Sequence, residues 1–121
     1  ASDTLYINFE IKTLFAYQHS VIPGRLDFPV DGQYTTYLII LNESSVVLYW
    51  EIGENNTEWM SVYWWEVYNT TSDINHLKKW GFVKFKVRIY PELLGPGTYD
   101  SSILVITDQG NTIIPVHVVV E

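Results

Sequence analysis

The run Gly97-Thr98-Tyr99-Asp100-Ser101-Ser102-Ile103-Leu104-Val105-Ile106-Thr107, then Asp108-Gln109-Gly110, then Asn111-Thr112-Ile113-Ile114-Pro115-Val116-His117-Val118-Val119-Val120, decides how the chain folds. Side chains alternate across a strand, so Tyr99, Ser101, Ile103, Val105 and Thr107 share one face, while Asp100, Ser102, Leu104 and Ile106 share the other. The second half is β-branched almost throughout, which suits a pleated, buried surface and suits a helix poorly. Gly110 and Asn111 accept the positive φ that a tight reversal needs. The two halves therefore read as a β-hairpin.

Outward from this hairpin the same period recurs. Val83, Phe85, Val87 and Ile89 alternate with Lys84, Lys86, Arg88 and Tyr90, which predicts a strand with one core face and one wet face. Gln33 to Leu41 and Val46 to Ile52 read as strands separated by Asn42-Glu43-Ser44-Ser45, with Trp50 placed to enter a core. Near the start, Leu5, Ile7, Phe9 and Ile11 alternate with Tyr6, Asn8, Glu10 and Lys12. A second extended run, Leu14 to Ile22, stops at the turn dipeptide Pro23-Gly24, and Asp31-Gly32 marks another turn. Trp59 to Val62 is extended and continues into Tyr63 to Tyr68. Gly53 to Glu58 and Asn69 to Asp73 read as loops, and Ile74 to Trp80 as one helical turn.

Seven or eight short strands at roughly ten-residue spacing, with no crossover helices, predict an all-β, immunoglobulin-like β-sandwich of mostly antiparallel strands. At 121 residues this is one domain, residues 1–121, large enough to bury a core without a staple. Cysteine is absent, so disulfides, thiol nucleophiles and thiolate metal sites are excluded. The formal net charge of −7 argues against nucleic acid as a partner, because counterion release needs clustered cations. The basic run Lys78, Lys79, Lys84, Lys86 and Arg88 reads as the wet face of a strand. No apolar stretch is long enough to span a membrane, and a chain that opens at Ala1 without Met reads as a mature or excised piece of a larger protein.

Leu26-Asp27-Phe28, the run Tyr34 to Asn42, Trp50, and Trp59-Met60-Ser61-Val62 follow one another in an order that resembles the BACON family of bacterial immunoglobulin-like modules. Gly97-Thr98-Tyr99, Ile103 to Thr107, and Ile114-Pro115-Val116 with its β-branched end agree with the same pattern. The resemblance covers a core from residue 26 to residue 120, with residues 1–22 as an N-terminal strand extension and the aromatic stretch Tyr63 to Trp80 longer than the family's usual turn. It implies a sandwich module of secreted or surface proteins, often beside carbohydrate-active domains, used for adhesion, glycan attachment or spacing. Similar sandwiches also serve as extracytoplasmic domains of archaeal envelope machinery.

Chemistry-bearing patterns are sparse. His19, His76 and His117 have no ligand spacing and read as satisfied or solvated side chains, so no metal residue is assigned. Glu51, Glu54 and Glu58 cluster in sequence, as paired carboxylates of glycosidases do in space, but they fall on a strand end and an Asn-rich loop and read as a solvated acidic edge. No nucleophile elbow, phosphate loop or dinucleotide fingerprint occurs, and no catalytic or cofactor-binding residue is assigned.

The aromatic stretch is the informative one. If extended, adjacent Trp64 and Trp65 point to opposite faces, so at least one leaves the core; with Tyr63 and Tyr68 they form the candidate binding surface. The bland alternative packs one in the sandwich and one under the following loop. Asn42, Asn55 and Asn69 head glycosylation sequons, which favours an exported protein, although Asn and Thr are also ordinary turn residues. The expectation is a non-catalytic extracellular or cell-envelope module, without cofactor, that binds or braces another surface protein, glycosylated or not. An exposed edge strand also offers a homodimer contact. The alternatives are a carbohydrate-binding module using exposed Trp and Tyr, and a spacer of a larger secreted enzyme.

Overall fold

The computed structural model describes residues 18–55 and 57–121. These residues form β1 (His19–Ile22), β2 (Leu26–Phe28), β3 (Thr35–Asn42), β4 (Leu48–Ile52), β5 (Met60–Thr70), β6 (His76–Ile89), a 3-10 turn at Pro91–Leu93, β7 (Gly97–Thr107) and β8 (Gly110–Val120). The eight strands make one curled, mixed sheet, a half-barrel, in the order β1-β3-β6-β4-β7-β8-β2, with β5 on the second edge of β6. β2 runs parallel to β8, and the other ladders are antiparallel. The strand expected at Leu5 to Ile11, and the part of the Leu14 run up to residue 17, lie outside the described residues. No helix among the described residues is long and apolar enough to cross a membrane.

The all-β reading with about eight strands holds, but hydrogen bonding is continuous where two separate sheets were expected. β6 is the reason. β5 takes one edge of β6, and the other edge is shared: Leu77 and His76 pair with Leu48 and Tyr49 of β4, whereas Phe82 to Arg88 pair with Leu41 to Thr35 of β3. The handover falls at an irregularity where β5 advances from Tyr68 to Thr70 while β6 advances from Phe82 to Leu77. Asn69 and Trp80 both take positive φ there, 57° and 64°, which costs a non-glycine residue strain that the surrounding ladder must hold. Gly81 is required at this point, because a Cβ on it would lie 2.5 Å from the Asn69 carbonyl oxygen and 2.8 Å from that of Lys78. The helical turn expected over Ile74 to Trp80 is thus replaced by the first third of β6. Its backbone groups pair across to Thr70 and Leu48, and that tertiary pairing overrides a weak local preference.

The core is built from the inward face of each strand. Leu38, Ile40, Leu48, Leu77, Val83, Val87, Val105, Ile114 and Val118 are fully buried, and β6 alternates buried Val83, Phe85, Val87 and Ile89 with its charged residues, as its sequence period requires. Trp50 enters from β4, meets Phe85 edge to face at a ring separation of 5.1 Å, and donates its indole N–H to the Ile74 carbonyl at 2.9 Å. The predicted hairpin forms with a two-residue loop, Asp108-Gln109; Thr107 pairs with Gly110, and Gly110 alone in the turn takes positive φ. At the start of β7, the Tyr99 hydroxyl donates to the Gly95 carbonyl at 2.8 Å and fixes the corner leading into the strand.

A buried polar knot ties the end of β3 to its neighbours. The Asn42 side-chain amide donates to the carbonyls of Val46 at 2.8 Å and Leu77 at 2.9 Å, and its oxygen accepts from the Ser44 N–H at 2.9 Å and from the Ser44 hydroxyl. Gln109, at the hairpin tip, donates to the Ser44 hydroxyl at 3.0 Å, so the tip of β7 and β8 is hooked onto the β3–β4 connection.

Candidate functional site

β5 carries the candidate surface, and its backbone explains how so many aromatics face water. Among the described residues it is an edge strand that pairs with β6 alone. Ser61, Tyr63, Glu66 and Tyr68 lie opposite Arg88, Lys86, Lys84 and Phe82 on the outer face of the sheet, whereas Met60, Val62 and Val67 lie opposite the inward Ile89, Val87 and Val83. Trp64 pairs with inward Phe85, and Trp65 is the extra residue of a β-bulge between Trp64 and Glu66. The bulge turns Trp65 outward beside Tyr63, ring centroids 6.4 Å apart.

Neither tryptophan is packed away: Trp64 is 51% exposed and Trp65 50%, with Tyr68 at 59%. Trp64 sits on the inward side, but β5 is the sheet margin there. Tyr68 stacks on Phe82 with centroids 5.7 Å apart and ring planes 26° apart. The structure therefore brings Tyr63, Trp65 and Tyr68 onto one face and sends Trp64 to the other side of the same edge.

The cations of β6 complete this face. The Lys86 ammonium stands 4.3 Å over the Trp65 ring, the Lys84 ammonium 4.3 Å over Tyr37 of β3, and the Arg88 guanidinium 4.8 Å over Tyr90. Lys84 also lies 3.6 Å from the Glu66 carboxylate. Sequence reasoning placed the three cations on a wet face but did not find Tyr37, Tyr90 or the rings beneath the cations. Their alternation was visible; the register that brings β3, β5 and β6 together was not.

The other candidates stay apart. Glu51, Glu54 and Glu58 do not converge; Glu51 instead accepts from the Tyr49 hydroxyl at 2.5 Å, which raises the ionisation of that phenol above its ordinary value. His76 contacts Asp73 at 3.2 Å, His117 contacts Asp100 at 2.7 Å, and His19 lies 3.3 Å from the Gln109 amide oxygen. Among the described residues no three His, Asp or Glu side chains are grouped as metal ligands would be. Arg25 holds Asp27 with two hydrogen bonds of 2.9 Å, which draws that carboxyl below its ordinary value.

Of the sequon asparagines, Asn55 and Asn69 are exposed, with amides donating to the carbonyls of Met60 and Lys79 at 2.7 Å. Asn42 is not in a loop: it ends β3, fully buried, with its amide nitrogen bonded twice. A glycan on that nitrogen is incompatible with this packing.

No protein-family model matches the chain, and no curated protein matches it.

Proposed function

We propose that this chain is a non-catalytic, exported module of a cell surface or envelope that works by contact, presenting the outer face of β5 and β6 to another surface protein from a rigid β scaffold. The observation that carries this reading is the exposure of Tyr63, Trp65 and Tyr68 together on that face, with Trp64 half-exposed on the other side of the same edge. Large aromatics exposed together are characteristic of contact surfaces, since each leaves apolar area in water that a partner would cover.

An immunoglobulin-like arrangement underlies the reading. Among the described residues the ladders β1-β3-β6-β5 and β4-β7-β8-β2 are joined by the short β4–β6 pairing, and this order supports reading them as the two layers of such a sandwich. The Tyr99 to Gly95 bond has the form of its tyrosine corner, and Trp50 occupies the strand on which the fold carries a buried Trp. BACON-like membership is the family assignment we favour. Exposed sequon asparagines at Asn55 and Asn69 accord with export.

Size-exclusion chromatography with light scattering tests the reading, on the wild type and on Trp64→Ser and Trp65→Ser, alone and with extracted envelope material. Co-elution or a concentration-dependent dimer that either substitution abolishes, with the urea midpoint preserved, is the expected result. Monomers throughout with no co-elution would refute it. A second reading, a carbohydrate-binding module, is favoured by the outward rings of Tyr63, Trp65 and Tyr68 beside hydrogen-bonding cations.

A further inference from the structure

We infer that the outer face of β5 and β6 selects anionic saccharides, those bearing carboxylate or sulfate groups, over neutral ones. This deepens the carbohydrate-binding reading and rests on it. The chain holds seven Lys and Arg against fourteen Asp and Glu, yet five of the seven stand on β6. Three of them, Lys84, Lys86 and Arg88, occupy alternate positions on the outward face, a row with a step of about 6.8 Å. Each stands over an aromatic ring, so one face of each of Tyr37, Trp65 and Tyr90 carries a cation.

A neutral sugar stacking on Trp65 has to displace Lys86 from the ring. An anionic sugar instead takes the ammonium as a partner while its carbon–hydrogen face lies beside Tyr63 and Trp65. The row is also unevenly neutralised: Glu66 already pairs Lys84, while Lys86 and Arg88 have no carboxylate among their ion pairs in the described residues. Selectivity therefore centres on Lys86 and Arg88, and Glu66 restrains it. Away from this face the molecule is acidic, so an anion held elsewhere is repelled and the ligand is directed to this row.

Isothermal titration of the full chain with polygalacturonate, a neutral galactan and poly-glutamate at low and high salt tests the inference. The expected result is polygalacturonate binding at least about tenfold tighter than galactan, weakened by salt, reduced about tenfold by Lys86→Gln or Arg88→Gln, and strengthened several-fold by Glu66→Gln, which frees Lys84. Lys84→Gln, which removes a charge already paired, is expected to act least. Circular dichroism and urea midpoints of each variant separate lost binding from lost fold. Equal binding of galactan and polygalacturonate overturns the selectivity and leaves the carbohydrate reading standing. Poly-glutamate binding as tightly as the uronate overturns saccharide recognition in favour of charge alone, and binding of none of the three overturns both.

Discussion

Asn42→Ala is the most informative single substitution for the fold. Asn42 is fully buried, its amide supplies two hydrogen bonds to the carbonyls of Val46 and Leu77, and its oxygen accepts two from Ser44. Alanine removes all four bonds; the Ser44 hydroxyl keeps the Val46 carbonyl and Gln109 as partners, while the Leu77 carbonyl and the Ser44 N–H lose this one. One buried group left unsatisfied costs about 1–3 kcal/mol, and an entering water recovers some of that. The expected loss is about 3–4 kcal/mol, a large fraction of the stability of a domain this size. Asn42→Asp should cost more, because a carboxylate oxygen replaces the amide nitrogen and faces the carbonyl oxygens of Val46 and Leu77. Equilibrium urea unfolding followed by tryptophan fluorescence reads both, with unchanged slopes confirming that the denatured state is comparable. A loss below about 1 kcal/mol for Asn42→Ala would show that the knot is replaceable by solvent and refute the reasoning. The same geometry predicts that peptide mass spectrometry of protein from a glycosylating host finds sugar on Asn55 or Asn69 and none on Asn42.

Gly81→Ala should destabilise by about 1–3 kcal/mol, since its Cβ would meet three backbone carbonyl oxygens within 3 Å; a urea midpoint equal to wild type would count against the bulge geometry. Trp50→Ala removes a buried indole with its hydrogen bond to Ile74 and should cost about 3–5 kcal/mol in the same assay, a loss under 1 being the contrary result. Tyr49 donates to Glu51 and should titrate above the ordinary phenol value by ultraviolet absorbance, with Glu51→Gln lowering it. The sign follows from a phenol whose folded value is raised: its contribution to stability is present below the unfolded value and fades as pH climbs through the folded one. Asp27 has the opposite sign, its contribution being present above the unfolded carboxyl value and lost as pH falls through the folded one; carboxyl-carbon NMR should show Asp27 moving up toward the ordinary aspartate range in Arg25→Gln.

Strand period carried most of the architecture. The alternation at Val83 to Ile89 appears in space as read; the β-branched run at Ile113 to Val120 forms its strand but buries only the face of Ile114, Val116 and Val118, leaving Ile113 and Val119 exposed. Ile74 to Trp80 was misread because its pattern is broken by the irregularity opposite Asn69, where positive φ at Trp80 interrupts the two-residue period. The join of β4 to β6 was not legible at all, since a two-pair ladder has no period of its own. For the surface, adjacent Trp64 and Trp65 did announce that one ring must leave the core, but the bulge that sets Trp65 beside Tyr63 depends on the partner strand. Asn42 was legible as a sequon and not as a buried residue, because both roles use the same amide and only packing decides between them.

The cations on β6 explain how this aromatic face persists in water without a partner. Tyr37, Trp65 and Tyr90 would together expose a broad apolar area, and such areas promote indiscriminate association. Placing an ammonium or guanidinium over each ring replaces bare π surface with a hydrated charge, at a gain of about 0.5–1 kcal/mol per exposed pair. It also changes what can bind. A purely apolar partner must strip cations from rings and lose those gains, whereas an anionic one keeps the rings and adds charge pairing, so the feature that keeps the face soluble is the same one that sets its selectivity.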